Sequence, residues 1–337
     1  MARKQNRRKA SPAAAILTVL VLAALFVWRM LGSPEDGKTQ ITLPNGELHV
    51  WFLDVGQADS SLLVCDGQAM LIDGGNVDDA SYVVASLEQY GVTSLDYVIN
   101  THCDEDHVGG LAGVLAKFPA EHVWSSTAEY GTKAFSNFVK YANEQGRAIE
   151  IPSPGDTFTL GEAEITVLGP LRDYENNNEN SIVLRVDYGE TSFLFTGDMG
   201  ITAEDELVES GARLDATVLK VGHHGSAGST GYVFLREVMP DYAVISVGTD
   251  NSYGHPTEAA LSRLRDADAQ VFRTDLQGVI HDGSAVESYD SRRRRDLHRQ
   301  RQFADLPRLD LSQLSVGEER RALRLRLGRD GTGVSRP

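Results

Sequence analysis

The residues from 101 to 110 give the strongest chemical signal in the chain, and they read Thr101-His102-Cys103-Asp104-Glu105-Asp106-His107-Val108-Gly109-Gly110. They directly follow residues 97–99, an apolar segment with the pattern of a buried strand. A metal site needs several lone pairs that converge within ~2–2.5 Å of an ion. His and Asp side chains at this density after a strand therefore predict a metal-binding loop, and the two glycines lead into a helix over residues 109–117.

Other apolar segments end in the same kinds of residue. Asp198 closes the run Phe193-Leu194-Phe195-Thr196-Gly197-Asp198, and a pair of histidines closes Leu219-Lys220-Val221-Gly222-His223-His224. Further motifs are Asp54-Val55-Gly56-Gln57-Ala58-Asp59-Ser60, Leu71-Ile72-Asp73-Gly74-Gly75 and Tyr253-Gly254-His255-Pro256. Metal-ligating side chains are thus concentrated at strand ends. The sequence does not separate the role of His224 from that of His223.

Short strand patterns and helical patterns alternate through the middle of the chain. Strand patterns cover residues 47–53, 61–64, 69–72, 97–99, 123–125, 164–168, 181–187, 191–195, 216–221, 242–247 and 270–273, and helical patterns cover 77–90, 109–117 and 258–266. Strand pairs joined by tight turns occur beside strand–helix alternation. This mixture favours sheets with helices packed outside them over a simple doubly wound sheet.

The net charge of −16 conceals segments of opposite sign. Residues 1–29 have six basic and no acidic residues, residues 291–337 have 13 Arg and six acidic residues, and the part between them is strongly acidic. Binding to phosphates needs a basic footprint, so this charge argues against an electrostatic nucleic-acid binder. An apolar content of 41% argues against a disordered acidic chain. The two cysteines, Cys65 and Cys103, exclude a disulfide framework.

The N-terminal residues have the pattern of a membrane anchor. Basic residues at positions 3, 4, 7, 8 and 9 precede an uncharged apolar run over residues 13–28. A helix extended to Leu31 reaches ~28 Å, close to the ~30 Å hydrocarbon core of a bilayer. The sequence predicts a basic cytoplasmic flank over 1–12, a transmembrane anchor over 13–31 and a linker over 32–45, with the following domain outside the cytoplasm. The alternative is a cleaved signal peptide.

The C-terminal residues differ from the rest of the chain. An Arg-rich segment that contains no Lys begins at Arg292-Arg293-Arg294-Arg295. Before it, a closing strand is expected after residue 277, but its apolar pattern is lost at His281-Asp282-Gly283-Ser284. We expect residues 286–337 to be a basic tail outside the fold. A disordered tail, the product of a reading-frame change, and an arm that contacts lipid, cell-wall polymer or DNA remain alternatives.

Taken together, these motifs resemble the metallo-β-lactamase superfamily, and within it the exported hydrolase domain of ComEC-type DNA-uptake (competence) proteins. That domain has a DVGQGDS-like turn, a TH-x-D-x-DH-x-GG loop, an FTGD strand end, a KVGHHGS loop and a YGHP loop. This chain shows each motif in the same order. The resemblance implies an α+β fold, an αβ/βα four-layer sandwich over residues 46–285, with a two-metal site at the sheet edges.

The resemblance also assigns metal ligands. They are His102, Asp104, Asp106, His107, Asp198 and His223. The first two would bind one ion, the next two and His223 would bind a second ion, and Asp198 would bridge both. The Asn-rich residues 176–181 stand where the wider superfamily has a ligand His. With fewer imidazoles and more oxygen ligands, the site favours Mn²⁺ over Zn²⁺ as its one or two divalent ions.

Three further residues are assigned to the chemistry. Two-metal sites activate a water molecule and hold the substrate oxygen. Asp106 would orient that water, while His255, Lys220 or Ser226 would stabilise negative charge or protonate the leaving group. Cys103 stands where these domains often have Pro, and along an extended loop its side chain points away from the ligands.

Three functions remain open from the sequence. The resemblance favours a membrane-anchored hydrolase of phosphodiester bonds, with DNA as substrate. The acidic charge opposes tight DNA binding and suits the alternative of small esters, lactones or β-lactams. A third alternative is an extracellular binding module without enzymatic activity. No protein partner is indicated.

Overall fold

The computed structural model describes residue 43 and residues 46–282. Several predicted segments lie outside these residues, namely the basic flank, the membrane anchor, most of the linker and the Arg-rich tail. Within them, no helix has the length and apolar character needed to cross a bilayer.

The described residues form two sheets and several short helices. The strands are β1 (Leu48–Phe52), β2 (Ser61–Cys65), β3 (Gln68–Ile72), β4 (Leu95–Asn100), β5 (Ala120–Ser125), β6 (Thr157–Leu160), β7 (Ala163–Gly169), β8 (Val183–Tyr188), β9 (Thr191–Phe195), β10 (Val218–Lys220), β11 (Tyr242–Ile245), β12 (Gln270–Arg273) and β13 (Ile280–Asp282). The α-helices are α1 (Ala80–Gln89), α2 (Glu105–Val108), α3 (Leu111–Lys117), α4 (Lys133–Glu144), α5 (Ile201–Ser210), α6 (Tyr232–Val238), α7 (Glu258–Asp266) and α8 (Thr274–Gln277). Three 3₁₀ turns cover Val77–Asp79, Asn178–Asn180 and Gly222–Gly225.

Each sheet combines antiparallel and parallel neighbours. The first has the order β13-β1-β2-β3-β4-β5, and the second has the order β12-β11-β10-β9-β8-β7-β6. Strands β2 and β3 are joined by the turn Asp66-Gly67, where both residues have positive φ. Asp-Gly is favoured in such two-residue hairpin turns because both residues tolerate this conformation. The short strand β13 pairs with β1. A closing strand therefore does form over residues 280–282, although the sequence pattern there is weak.

Alternating strand residues place the two sheets between two layers of helices. One apolar cluster joins Phe52 and Met70 of the first sheet to Phe193 of the second, and the rings of Phe52 and Phe195 are 5.8 Å apart. The other face of the first sheet packs on α1, α3 and α4, and the other face of the second sheet packs on α5, α6 and α7. The order of layers is therefore helix, sheet, sheet, helix. The predicted α+β class, with mixed sheets and helices outside them, is confirmed.

The strand directions bring the polar loops to one edge of each sheet. Strands β3, β4 and β5 run parallel, as do β9, β10 and β11. The carboxyl ends of parallel strands lie at the same edge, so the loops after them are neighbours. Asp73 follows β3, His102 follows β4, and Asp198 follows β9.

Gly110 allows the loop after β4 to pack closely on the loop after β3. A Cβ atom at this position would lie 2.0 Å from the backbone oxygen of Gly74. The amide of Gly74 donates a hydrogen bond to the carbonyl of His107 at 2.7 Å. The glycine pair seen in the sequence therefore serves a backbone contact that fixes the position of the His107 loop.

Candidate metal centre

Asp73 orients His107. The imidazole of His107 is completely buried, and its Nδ1 lies 2.8 Å from the Asp73 carboxylate. The same carboxylate accepts hydrogen bonds from the backbone amide and the hydroxyl of Thr101 at 2.8 and 2.7 Å. When one imidazole nitrogen donates to a carboxylate, the lone pair of the other nitrogen is directed to a metal ion. Asp73 thus leaves the Nε2 atom of His107 as a ligand.

His107 belongs to a cluster of four potential ligands. The cluster consists of Asp106, His107, Asp198 and His224, with one ligand atom from each within 4.8 Å of the others. The Nε2 atom of His107 lies 3.2 Å from Asp198, and the Nε2 atom of His224 lies 3.2 Å from Asp106 and 3.6 Å from Asp198. Asp198 is therefore adjacent to both imidazoles.

His102 and Asp104 lie on the other side of His107. The rings of His102 and His107 have centroids 4.1 Å apart, and the Nε2 atom of His102 is 3.6 Å from Asp104. The other oxygen of Asp104 accepts a hydrogen bond from the Asn177 side chain at 2.7 Å. A side-chain amide of the Asn-rich segment, that of Asn177, thus orients the Asp104 carboxylate.

Adjacent histidines occupy different positions. The buried His224 donates its Nδ1 hydrogen to the carbonyl of Ser246 at 2.9 Å, so that its Nε2 atom faces the cluster. The side chain of His223 is 33% exposed, and its Nε2 atom lies 3.7 Å from Asp198. Both residues have positive φ, a strained conformation for non-glycine residues that is typical of functional sites. His224 joins the four-residue cluster, and metal binding by His223 stays a prediction.

Lys220 is placed behind the histidines. Its side chain is 3% exposed, and Nζ lies 2.6 Å from Asp59. Nζ also donates to the carbonyl of Val221 at 3.1 Å. The other oxygen of Asp59 lies 3.5 Å from Nδ1 of His224. In this position Lys220 neutralises a buried carboxylate beneath the cluster, and its predicted catalytic contact with substrate stays a prediction.

His255 is partly exposed and lies beside His223. Its ring is 5.6 Å from that of His223, and its Nδ1 atom is buried without a hydrogen-bond partner among the described residues. Burial and the neighbouring charge of His223 lower the pKa of His255 below its ordinary value. The structure thus places His255 where the sequence predicts it, next to a predicted ligand, and its catalytic role stays a prediction.

Charges within the cluster keep its carboxylates ionised. Burial raises the pKa of Asp106, but the hydrogen bond to His224 and the charge of His107 outweigh it and bring the pKa to about 2. Burial also opposes ionisation of Asp198, yet the imidazoles of His224 and His107 hold its pKa well below the usual range. Cys103 differs, because burial and the charge of Asp104 raise the pKa of its thiol to about 12. A buried neutral thiol is a poor metal ligand.

The donor set fits divalent metal ions. Among the buried side-chain atoms of the described residues, Nε2 of His102, Nε2 of His107 and Oδ1 of Asp198 have no hydrogen-bond partner. Buried polar groups normally have partners, and these three come from loops that meet at the sheet edges. Imidazole nitrogen and carboxylate oxygen are ligands of Zn²⁺ and Mn²⁺. Coordination of a metal ion would give these unpaired atoms a partner.

Comparison with known proteins agrees with this geometry. Residues 53–249 match the model of the metallo-beta-lactamase superfamily. The chain belongs to this superfamily. It is a metal-dependent hydrolase of a fold that typically binds one or two divalent ions.

Curated relatives match a large part of the chain. ComE operon protein 3 of Bacillus subtilis is 31% identical over 255 residues, which are 70% of this chain and 33% of that protein. Competence protein ComA of Neisseria gonorrhoeae is 34% identical over 267 residues, 79% of this chain and 35% of that protein. Recombination protein 2 of Haemophilus influenzae is 31% identical over 237 residues, 68% of this chain and 28% of that protein. The predicted resemblance to competence proteins is confirmed, and the chain spans only about a third of each relative.

Several residues that contact the ligands occur in motifs of the sequence analysis but were not assigned a role there. Asp59 and Asp73 were visible as Asp in tight turns after strands, and the structure places both beneath the ligands. Asn177 was visible only as part of an Asn-rich segment. Their partners come from distant parts of the chain. These contacts form only in the folded protein, so the sequence alone did not predict them.

Proposed function

We propose that this protein hydrolyses phosphodiester bonds of DNA with divalent ions held by His102, Asp104, Asp106, His107, Asp198 and the histidine pair. The observation that carries the proposal is the convergence of the carboxylates and unpaired imidazole nitrogens on Asp198. The relatives support the choice of substrate, because two of them are named a competence protein and a recombination protein. Recombination is a reaction of DNA.

The residues of the cluster divide the chemistry between them. Two divalent ions bound in such a site supply Lewis-acid activation of water and stabilise negative charge on the substrate oxygens. Asp73 and Ser246 fix the ring orientation of His107 and His224 by accepting their Nδ1 hydrogens. The side chain of Asp106 is 30% exposed, so substrate can reach it from solvent. His255, whose ring is 5.6 Å from that of His223, is proposed to exchange a proton with the leaving group.

The ions themselves are proposed to be Mn²⁺ in preference to Zn²⁺. Asp104, Asp106 and Asp198 contribute oxygen ligands, and Asn177 and Asn178 occupy a segment without histidine. Oxygen-rich sites favour harder ions. The activity is therefore expected to be greater after reconstitution with Mn²⁺ than with Zn²⁺.

A direct assay tests the substrate. The full-length chain, purified in detergent and stripped of metal with a chelator, is incubated with Mn²⁺ or Zn²⁺ and with single-stranded DNA, duplex DNA, a small ester, a lactone and a β-lactam. We expect metal-dependent cleavage of DNA that is lost in Asp106→Ala. Hydrolysis of a small substrate with intact DNA would refute the proposal and favour the small-molecule alternative, which the net charge of −16 suits.

We further propose that residues 13–31 anchor the protein in the cell membrane, with residues 1–12 in the cytoplasm and the hydrolase domain outside it. The support is the uncharged apolar run with its basic flank. In cells, the protein is expected to stay in the membrane pellet after an alkaline carbonate wash. External protease should digest the domain in spheroplasts while a cytoplasmic marker survives. Recovery of the domain in the carbonate supernatant would contradict the anchor.

A further inference from the structure

Tyr253 is an exposed aromatic residue beside the metal centre. Its side chain is 71% exposed, compared with 41% for Tyr82 and 38% for Tyr130. A ring that is exposed to this degree next to an active site is free to stack on a bound ligand. The position of the ring then indicates which part of a ligand it contacts.

Two ring contacts connect Tyr253 to the cluster. The ring of Tyr253 stacks on His255 with centroids 5.7 Å apart and an interplanar angle of 25°. The ring of His255 meets that of His223 edge to face at 5.6 Å, and Nε2 of His223 lies 3.7 Å from Asp198. One face of Tyr253 is thus supported by His255, close to the ligands.

The loop that carries Tyr253 is held in place by Asn251. The side-chain amide of Asn251 donates to the carbonyls of Gly248 and His255 at 3.0 and 2.6 Å, and its oxygen accepts the amide hydrogen of His255 at 3.0 Å. Gly254 has a φ of 71°, a conformation that glycine adopts readily. These bonds close the loop on both sides of Tyr253, so the ring is presented in a defined position.

We propose that Tyr253 stacks on an unpaired nucleobase next to the phosphodiester bond that is cleaved, and that it thereby makes the enzyme prefer single-stranded DNA. The inference rests on the proposed function. Stacking of bases on aromatic side chains is a general device of single-strand binding and tolerates any base sequence. In a duplex the faces of the bases are already covered by their neighbours, so the ring has nothing to contact unless a base leaves the stack.

Stacking also suits the charge of this protein. Affinity for nucleic acid usually comes from Lys and Arg that neutralise phosphates. This chain has a net charge of −16. An aromatic contact adds affinity without basic residues, and it acts on the base and not on the phosphate.

The experiment compares substrates that differ only in their bases. The full-length protein in detergent, with Mn²⁺, is given a single-stranded oligonucleotide and one of equal length in which every nucleotide is abasic, and kcat/KM is measured for each. For wild type we expect the normal oligonucleotide to exceed the abasic one by roughly tenfold, the typical size of one stacking contact. In Tyr253→Ala this ratio should fall close to one, and in Tyr253→Phe it should be retained.

Leu276→Ala is the matched control, because Leu276 is 70% exposed and lies outside the centre described above. It should keep the wild-type ratio. An unchanged ratio in Tyr253→Ala would overturn the inference. If wild type cleaves both oligonucleotides equally, the stacking inference fails and the proposed hydrolysis stands. If wild type cleaves neither oligonucleotide and leaves duplex DNA intact as well, both are refuted.

Discussion

Asp198→Asn is expected to lower kcat/KM for DNA by about 10³-fold and to reduce the metal content of the purified protein. The substitution keeps the size of the side chain and removes its negative charge. Asp198 is 3% exposed and lies within 3.2–3.7 Å of Nε2 of His107, His224 and His223. A metal site contributes several kcal/mol to transition-state stabilisation, and each ~1.4 kcal/mol corresponds to tenfold in rate.

The measurement has two parts. Metal content is determined by atomic spectroscopy after dialysis against Mn²⁺, and kcat/KM is determined with the oligonucleotide. Asp173→Asn is the control, since this substitution also removes one carboxylate but at an exposed position. If Asp198→Asn retained the metal content and rate of wild type, the ions would not lie at the cluster around Asp198.

Local sequence patterns were sufficient to predict much of the fold. The strand patterns over residues 61–64 and 69–72 predict β2 and β3, and β9 and β12 have the predicted bounds. Helix α4 was not predicted, although Phe135, Phe138 and Ala142 lie on its buried face. Strand β13 was also difficult, because a three-residue strand is stabilised by its pairing with β1 and not by its own pattern.

The candidate site could be predicted as a set of residue types but not as a geometry. The loops after β4, β9 and β10 contain the expected His and Asp residues. The resemblance assigns His223 as a ligand, whereas the structure places His224 in the cluster, because this placement depends on a left-handed backbone turn and on the carbonyl of Ser246, 22 residues away. Likewise, lysine is usually exposed, and the sequence shows only that Lys220 precedes the histidine pair. Its pairing with the buried Asp59 is visible only in the folded structure.

Lys220→Met is expected to lower the free energy of unfolding by about 3–5 kcal/mol. Lys220 and Asp59 are 3% and 4% exposed, and their charged atoms are 2.6 Å apart. Removing one partner of a buried ion pair leaves the other charge without compensation in a medium that solvates it poorly. The surface pair of Lys117 and Glu88 provides a comparison, because Lys117→Met should cost at most about 1 kcal/mol.

Urea unfolding followed by fluorescence of the buried Trp51 and Trp124 measures the effect, with chelator in all samples so that metal binding does not add to stability. The double variant Asp59→Leu/Lys220→Met should recover most of the lost stability, because an apolar pair of similar volume carries no uncompensated charge. Its activity should nevertheless stay below that of wild type, since Asp59 lies 3.5 Å from Nδ1 of His224. If Lys220→Met instead lost activity at unchanged stability, Lys220 would act on the substrate, as the sequence predicts.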